Sequence, residues 1–419
     1  MFRRPNLYTS YVAESRIFPT WTQRVLVALA IVVLFLMPFD LPVINQIPFV
    51  RFLGDSNWLR PMASMLIILV GALGFNILAG VAGQVSLGHA FFMGAGAYTA
   101  GFLGGEGTEK VFGLGLPIWI WLPGAGIGAA LLGMAISPIA VRLRGLYLAI
   151  VTLGLVFIGI HMGNTNWGKK FAGDPGLGRS FPTFDIRIWK EEPPLILMDD
   201  DSTWFGIEVT DAQKTYFFVL IVAMLGILVA KNLARTRTGR ALQAIRDRDI
   251  AAEVMGVPEV RYKLIAFAIS SFYAGVSGAM FASLAGKLPA SQWNLFLSVE
   301  FVAIILIGGA GTVAGTIMGT VFVILLPLLI EELTVWLSDQ IGNDGILTPL
   351  ANFLLTEGSD DFGPISIATQ APGWPLNVFD WNIALYGLLI VVFLIFEPLG
   401  LYGIWVSIRN YWKGWPFSY

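Results

Sequence analysis

The chain has 419 residues, of which 56% are hydrophobic and only 13% charged, with a formal net charge of −2 and a mean hydropathy of +0.72. Soluble globular domains carry about 25% charged residues, so this composition excludes an ordinary soluble enzyme and marks a polytopic membrane protein. Cysteine is absent, and His89 and His161 have no partners at zinc-ligand spacing. No disulfide framework, metal site or cofactor is therefore expected.

Arg3, Arg4, Arg16 and Arg24 precede the first apolar run, and no small-residue cleavage site follows it. Residues 1–22 read as a cytoplasmic segment and the run as a retained first span. A span needs about 20 mostly apolar residues. On that measure spans are expected near 23–41, 61–80, 84–103, 116–141, 145–162, 215–233, 264–286, 297–309, 312–333 and 381–400. The fold class is then all-α: a helical bundle of about ten spans with discontinuous helices over 23–400, and a cytoplasmic tail over 401–419. Both termini fall inside the cell, and the charges agree. Arg142 and Arg144, the loop from residue 234, and Arg409 and Lys413 fall inside, whereas 331–380 holds eight acids and no Lys or Arg and falls outside. The external segments 163–214 and 336–380 are rich in Pro, Gly, Asp and Trp, which predicts irregular caps, either spacers or a landing place for a substrate receptor.

Within 71–105, GALGFNILAGVAGQVSLGHAFFMGAGAYTAGFLGG, the residues Asn76, Gln84, Ser86 and His89 lie at membrane depth. Polar side chains there face protein or a cavity, and small residues let helices approach closely. The stretch is expected to line a pathway, with helix breaks at Gly83 and Gly88 and with Tyr98 further along. The alternative is tight helix packing with His89 hydrogen-bonded in the core. In 142–153, Arg142 and Arg144 read as interfacial anchors, while Tyr147 and Thr152 can reach the pathway.

The loop 234–263 is the one strongly charged interruption with helical patterning. Asp249 is expected to cap a helix carrying Ile250, Ala251, Val254 and Met255, stopped by Gly256 and Pro258. Helices shorter than about 12 residues are marginal in water, so this one is expected to be held against a partner protein. Further on, EFVAIILIGGAGTVAGTIMG (300–319) places Glu300 ahead of breaks at Gly308, Gly309 and Gly311. Short glycine-broken segments in corresponding positions of two halves point to a transporter's midplane site, although the same glycines also suit a helix-packing face. No G-x-x-x-x-G-K-[ST] phosphate loop occurs, so any ATP chemistry is expected on another chain.

The run Ile250-Ala-Ala-Glu-Val-Met-Gly256 resembles the A-A-x-x-x-G core of the loop by which ABC importer permeases dock on their ATPases. One departure is Ile250, where the wider superfamily has an acid. Gly239-Arg-Ala-Leu-Gln-Ala-Ile-Arg-Asp247, Arg261-Tyr-Lys-Leu264, Ala82-Gly-Gln-Val-Ser-Leu-Gly-His-Ala90, Gly94-x-Gly-Ala-Tyr98 and Gly173-Asp-Pro-Gly-Leu-Gly178 are similar to the branched-chain amino acid permeases, the LivM and LivH type. The resemblance covers about residues 59–319. It implies a non-enzymatic, multi-pass permease subunit in the bacterial plasma (inner) membrane, working by alternating access on branched-chain or related small amino acids or amides. It also implies partners: a second homologous permease, two cytoplasmic ATP-binding subunits and an external substrate-binding protein, with no nucleic acid. Asp249, Ala251, Ala252, Glu253 and Gly256 become the ATPase-coupling positions. The rival is an ATPase-independent secondary transporter or channel for a small polar solute.

Overall fold

A computed structural model describes residues 21–39, 56–143, 145–189, 194, 196–198, 201–204, 207–338, 355–356, 365–366, 376–377, 380, 384, 387–388, 391–393, 395 and 400–414. The chain divides into two compact units, Met1–Phe301 with Gly311–Val313, and Val302–Ala310 with Ala314–Tyr419.

The first unit opens with α1 (Trp21–Leu36) and α2 (Ser56–Phe75), and α2 runs on into a π-helical turn, Asn76–Val81. Then follow α3 (His89–Gly104), α4 (Ile118–Arg142), α5 (Leu146–Asn164), the one-turn α6 (Lys169–Ala172), α7 (Asp211–Arg235), α8 (Arg237–Asp247), α9 (Asp249–Val254) and α10 (Glu259–Ala285). The next helix, α11 (Leu295–Gly308), begins in this unit. Among the described residues seven helices are long and apolar enough to cross a membrane: Trp58–Val81, Ile118–Arg142, Tyr147–Asn164, Asp211–Arg235, Glu259–Ala285, Ala290–Gly308 and Val313–Ile330. The expectation of ten is met in part. The first expected span is a shorter apolar helix, Arg24–Leu36, which gives way to a turn at 37–39 containing Pro38. The third is a 16-residue helix that starts at His89 rather than 84. The tenth, 381–400, lies largely outside the described residues.

The first unit is built around α10, which packs against α2, α3 and α4. A helix that is apolar all round has no solvent face to keep, and α10 buries Ala266, Phe267, Ser270, Ala274, Gly275, Gly278 and Ala279. Its small residues bring backbones together. A Cβ on Gly278 would overlap the Met93 carbonyl, and one on Gly96 would overlap Gly275. Local sequence sets the helix ends: Thr210 and Gln213 form a capping box at the start of α7, and Thr236 accepts from the Gly239 amide to start α8. The segment 163–214 contains α6, the strand β1 (Arg179–Ser180) and a hairpin of β2 (Ser202–Trp204) and β3 (Ile207–Val209). β1 pairs antiparallel with β4 (Lys287–Leu288).

The second unit holds the end of α11 together with α12 (Val313–Ser338) and α13 (Gly400–Gly414). Here Gly308 lies against Gly315 and Gly319, where a Cβ on Gly308 would overlap the Gly315 carbonyl. Gly400, at a φ of +67°, starts α13 against Ile307 and Gly309. Phe322 meets Phe393 at 5.3 Å between ring centroids. Three two-residue strands, Leu355–Thr356, Ile365–Ser366 and Leu376–Asn377, pair in parallel in the same unit.

Candidate functional site

The interruption between α2 and α3 is assembled from most of the polar residues singled out at membrane depth. After the π turn the Ala82 and Gln84 amides reach back to the Ile77 and Leu78 carbonyls, each at 3.0 Å. Gly83 then turns the chain at a φ of +69°, and 83–88 runs without regular structure to Gly88, the N-cap of α3. Backbone groups freed at membrane depth must be satisfied by protein, and here side chains do that. Thr152 of α5 accepts from the Leu87 amide at 3.0 Å, Ser86 from Gly88 at 3.2 Å, and Ser298 of α11 from Ala90 at 3.1 Å. His89 meets the Gly71 carbonyl through Nε2 at 2.9 Å, with the rings of Phe75 and Phe301 edge-on to it at 5.2 and 4.7 Å. Asn76 Oδ1 accepts from the Gly311 amide at 2.8 Å, so the turn containing Gly311 is tied to the π turn. Gln84 is the exception. Its residue is buried, and neither amide atom has a partner in the structure. Leaving such a group unpaired ordinarily costs about 1–3 kcal/mol.

The charged loop packs directly on this interruption. Leu242 of α8 is fully buried in a cluster with Leu78, Val81, Ala82, Leu148 and Phe267. Arg246, one turn further on, donates from Nη1 to the Gly80 carbonyl at 2.8 Å and pairs with its neighbour Asp247 at 3.0 Å. The six-residue α9 follows. Its N-cap is Arg248, whose side chain makes no capping bond. Asp249 is thus the first helical residue rather than the cap, a correction by one position, and its carboxylate accepts from the adjacent Ile250 amide at 2.8 Å. There a negative charge still suits the helix N-terminus. Gly256, at a φ of +82°, ends the turn while the Val257 amide returns to the Ala252 carbonyl at 3.0 Å. The apolar side chains do not face inward: Ile250 is 69% exposed, Val254 82% and Met255 83%. Ala251 and Glu253 are also exposed, whereas Ala252 is buried.

The other expected residues sit elsewhere. Tyr98 lies on α3 well beyond the interruption and accepts from Trp293 Nε1 at 3.2 Å. With Phe91, Phe102, Trp167, Phe171 and Trp293 it lines an apolar cavity of about 370 Å³. Tyr147 is 72% exposed on α5, and Glu300 is half-buried on α11, two residues past Ser298. Gly308 and Gly309 belong to the second unit. Sequence reasoning missed three participants. Arg246 is indistinguishable by pattern from the other arginines of its loop. Ser298 is an isolated hydroxyl in an apolar run. Arg179, in the segment 163–214, is buried and donates to the carbonyls of Phe171 at 2.8 Å, Phe112 at 3.1 Å and Gly101.

An interrupted, protein-satisfied helix packed against a charged loop is an arrangement suited to moving a solute. The family described as "Branched-chain amino acid transport system / permease component" matches residues 57–394. The chain belongs to this family. Among its relatives, the permease is 31% identical over 273 residues to the high-affinity branched-chain amino acid transport system permease protein LivM of Salmonella typhimurium, and equally to that of Escherichia coli K12. Each match covers 64% of this chain and 62% of the relative, so the permease spans about three-fifths of the length of these relatives. A shorter match, 33% over 132 residues, joins it to the autoinducer 2 import system permease protein LsrC of an Enterobacter species, covering 30% of this chain and 37% of that protein. No solved structure matches the permease. The relatives are transport permeases, not enzymes.

Proposed function

We propose that this permease is the membrane-spanning subunit of an ATP-driven importer for branched-chain amino acids or chemically similar small amino acids and amides. The observation that carries this reading is the outward apolar face of α9. Ile250 and Val254 stand exposed on a six-residue helix outside the membrane helices, with Met255 exposed just past its end. A contiguous apolar face gains nothing in water and suits a protein partner. An ATP-binding subunit is the partner that the loop's resemblance implies, and two of them would serve this chain and a second homologous permease. The interruption around Asn76, Gln84, Ser86 and His89 then supplies the element whose rearrangement opens the pathway to alternate sides. An external binding protein delivers substrate, and both termini and the α8–α9 loop lie on the cytoplasmic side of the bacterial inner membrane. The amino-acid substrate class is taken from the names of the LivM relatives.

The test is to purify the chain through an affinity tag from its native host and to reconstitute the complex in liposomes. ATP-binding subunits should co-purify, and radiolabelled leucine with its binding protein should drive ATP hydrolysis and uptake together. Uptake without any ATP-binding subunit would overturn the reading in favour of an ATPase-independent carrier.

A further inference from the structure

Arg246 reaches from the cytoplasmic loop into the helix interruption, and the chain is shaped to receive it. Its Nη1 donates to the Gly80 carbonyl at 2.8 Å, at the end of the π turn. The two positive-φ glycines nearest to it leave the space it occupies. A Cβ on Gly83 would come within 2.6 Å of Arg246 Cγ, and one on Gly311 within 3.0 Å of Arg246 Nη1. Gly311 in turn donates its amide to Asn76 Oδ1 at 2.8 Å, on the first residue of the same π turn. Arg246 therefore stands at a junction of three pieces: the end of α8 that leads into α9, the π turn, and the turn at Gly311. Leu242, buried on the same α8 against Leu78, Val81 and Ala82, gives the junction an apolar floor.

We infer that Arg246 is the positioning residue that makes α8 and the Gly80–Gly83 interruption move as one body, so that displacement of the docking helix α9 is delivered to the pathway. The chemistry suits the task. A guanidinium is always charged, and it can bond a carbonyl and a carboxylate at once in a fixed plane, here Gly80 and Asp247. An ammonium can keep the charge but not that geometry. Arg246 does not touch substrate. It acts through the backbone it holds.

The inference rests on the importer reading, and the experiment separates the two. In the reconstituted complex, Arg246→Met keeps the apolar stem and removes the guanidinium. ATP-binding subunits should still co-purify, because the α9 face is untouched. ATP hydrolysis should lose its stimulation by loaded binding protein, and uptake should fall at least tenfold. Arg246→Lys should recover part of both, while Arg237→Met, at the exposed start of the same helix, should leave both within twofold of the unaltered complex. Should the Met variant fail to fold, spin labels on Gln243 and Val85 in the Arg246 background give the second measurement. Their separation should stay the same with and without trapped ATP. Unchanged coupling in Arg246→Met, or a Gln243–Val85 distance that shifts with nucleotide, overturns the inference. Failure of the unaltered chain to bring down any ATP-binding subunit overturns the importer reading instead.

Discussion

Arg179 shows how one side chain can organise a segment between two membrane helices. Its guanidinium gathers the carbonyls of Phe171, Phe112 and Gly101. The last belongs to the final turn of α3, where the helix dipole favours a cation. Burial pushes the pKa of this arginine down from 12.5 to about 10, so it is charged at physiological pH and its desolvation opposes folding there. That cost is constant below about 10. It shrinks only between about 10 and the free value of 12.5, where the unfolded chain binds more proton and stability rises with pH. Arg179→Met would remove the charge but take the guanidinium from the part-buried Phe171 and Phe112 carbonyls, while Gly101 keeps its bond from the Gly105 amide. A thermal melt in detergent should show a loss of several degrees, with Arg179→Lys recovering only part, and an unshifted midpoint would refute this role. At this scale the sequence was informative where a polar group stood out against apolar neighbours, as Asn76, Gln84 and His89 do. Arg246 was hidden because it lies among similar charges, and hydropathy carries no information about which arginine reaches a carbonyl.

At the scale of elements, the long apolar helices were legible because a span must satisfy all its own backbone groups and so needs a continuous apolar run. The interruption was legible only as a place. Gly83 and Gly88 announced it, yet the π turn at Asn76–Val81 and the late start of α3 have no signature in hydropathy, which depends on residue type and not on backbone conformation. The short helix at 249–254 was located correctly, but its faces could not be assigned from so short a pattern. The resemblance counts both Ala251 and Ala252 among the coupling positions, whereas the structure turns Ala252 toward its own chain and presents Ile250, Val254 and Met255 outward. Two variants distinguish the faces. Val254→Asp should leave membrane insertion and melting unchanged while ATP-binding subunits no longer co-purify. Ala252→Glu, which forces a carboxylate into a buried position, should lower the melting midpoint of the isolated chain. Equal effects of the two on melting would mean that the assignment of faces is wrong.

On the scale of the whole molecule, orientation follows from charge bias. We propose that the basic loop ending in α9 lies inside and that the acid-rich stretch 331–380, most of which lies outside the described residues, lies outside. The chain has no cysteine of its own, so single thiols report cleanly. A cysteine at Ser359 should react with an impermeant reagent added to intact cells, and one at Gln243 only after the cells are opened. The reverse pattern would turn the topology over and take the docking loop away from ATP.

The backbone crossings of α10 with α3 have a consequence for how this chain can change over generations. Where Gly278 meets the Met93 backbone and Gly96 meets Gly275, an added atom would meet main chain, which no change of side chain can trim. A single added methyl cannot be absorbed by its neighbour, and no second substitution can restore the fit. A core of large side chains can exchange volume between neighbours. These crossings cannot, so Gly96 and Gly278 should tolerate substitution least, and the surfaces that face lipid and water most.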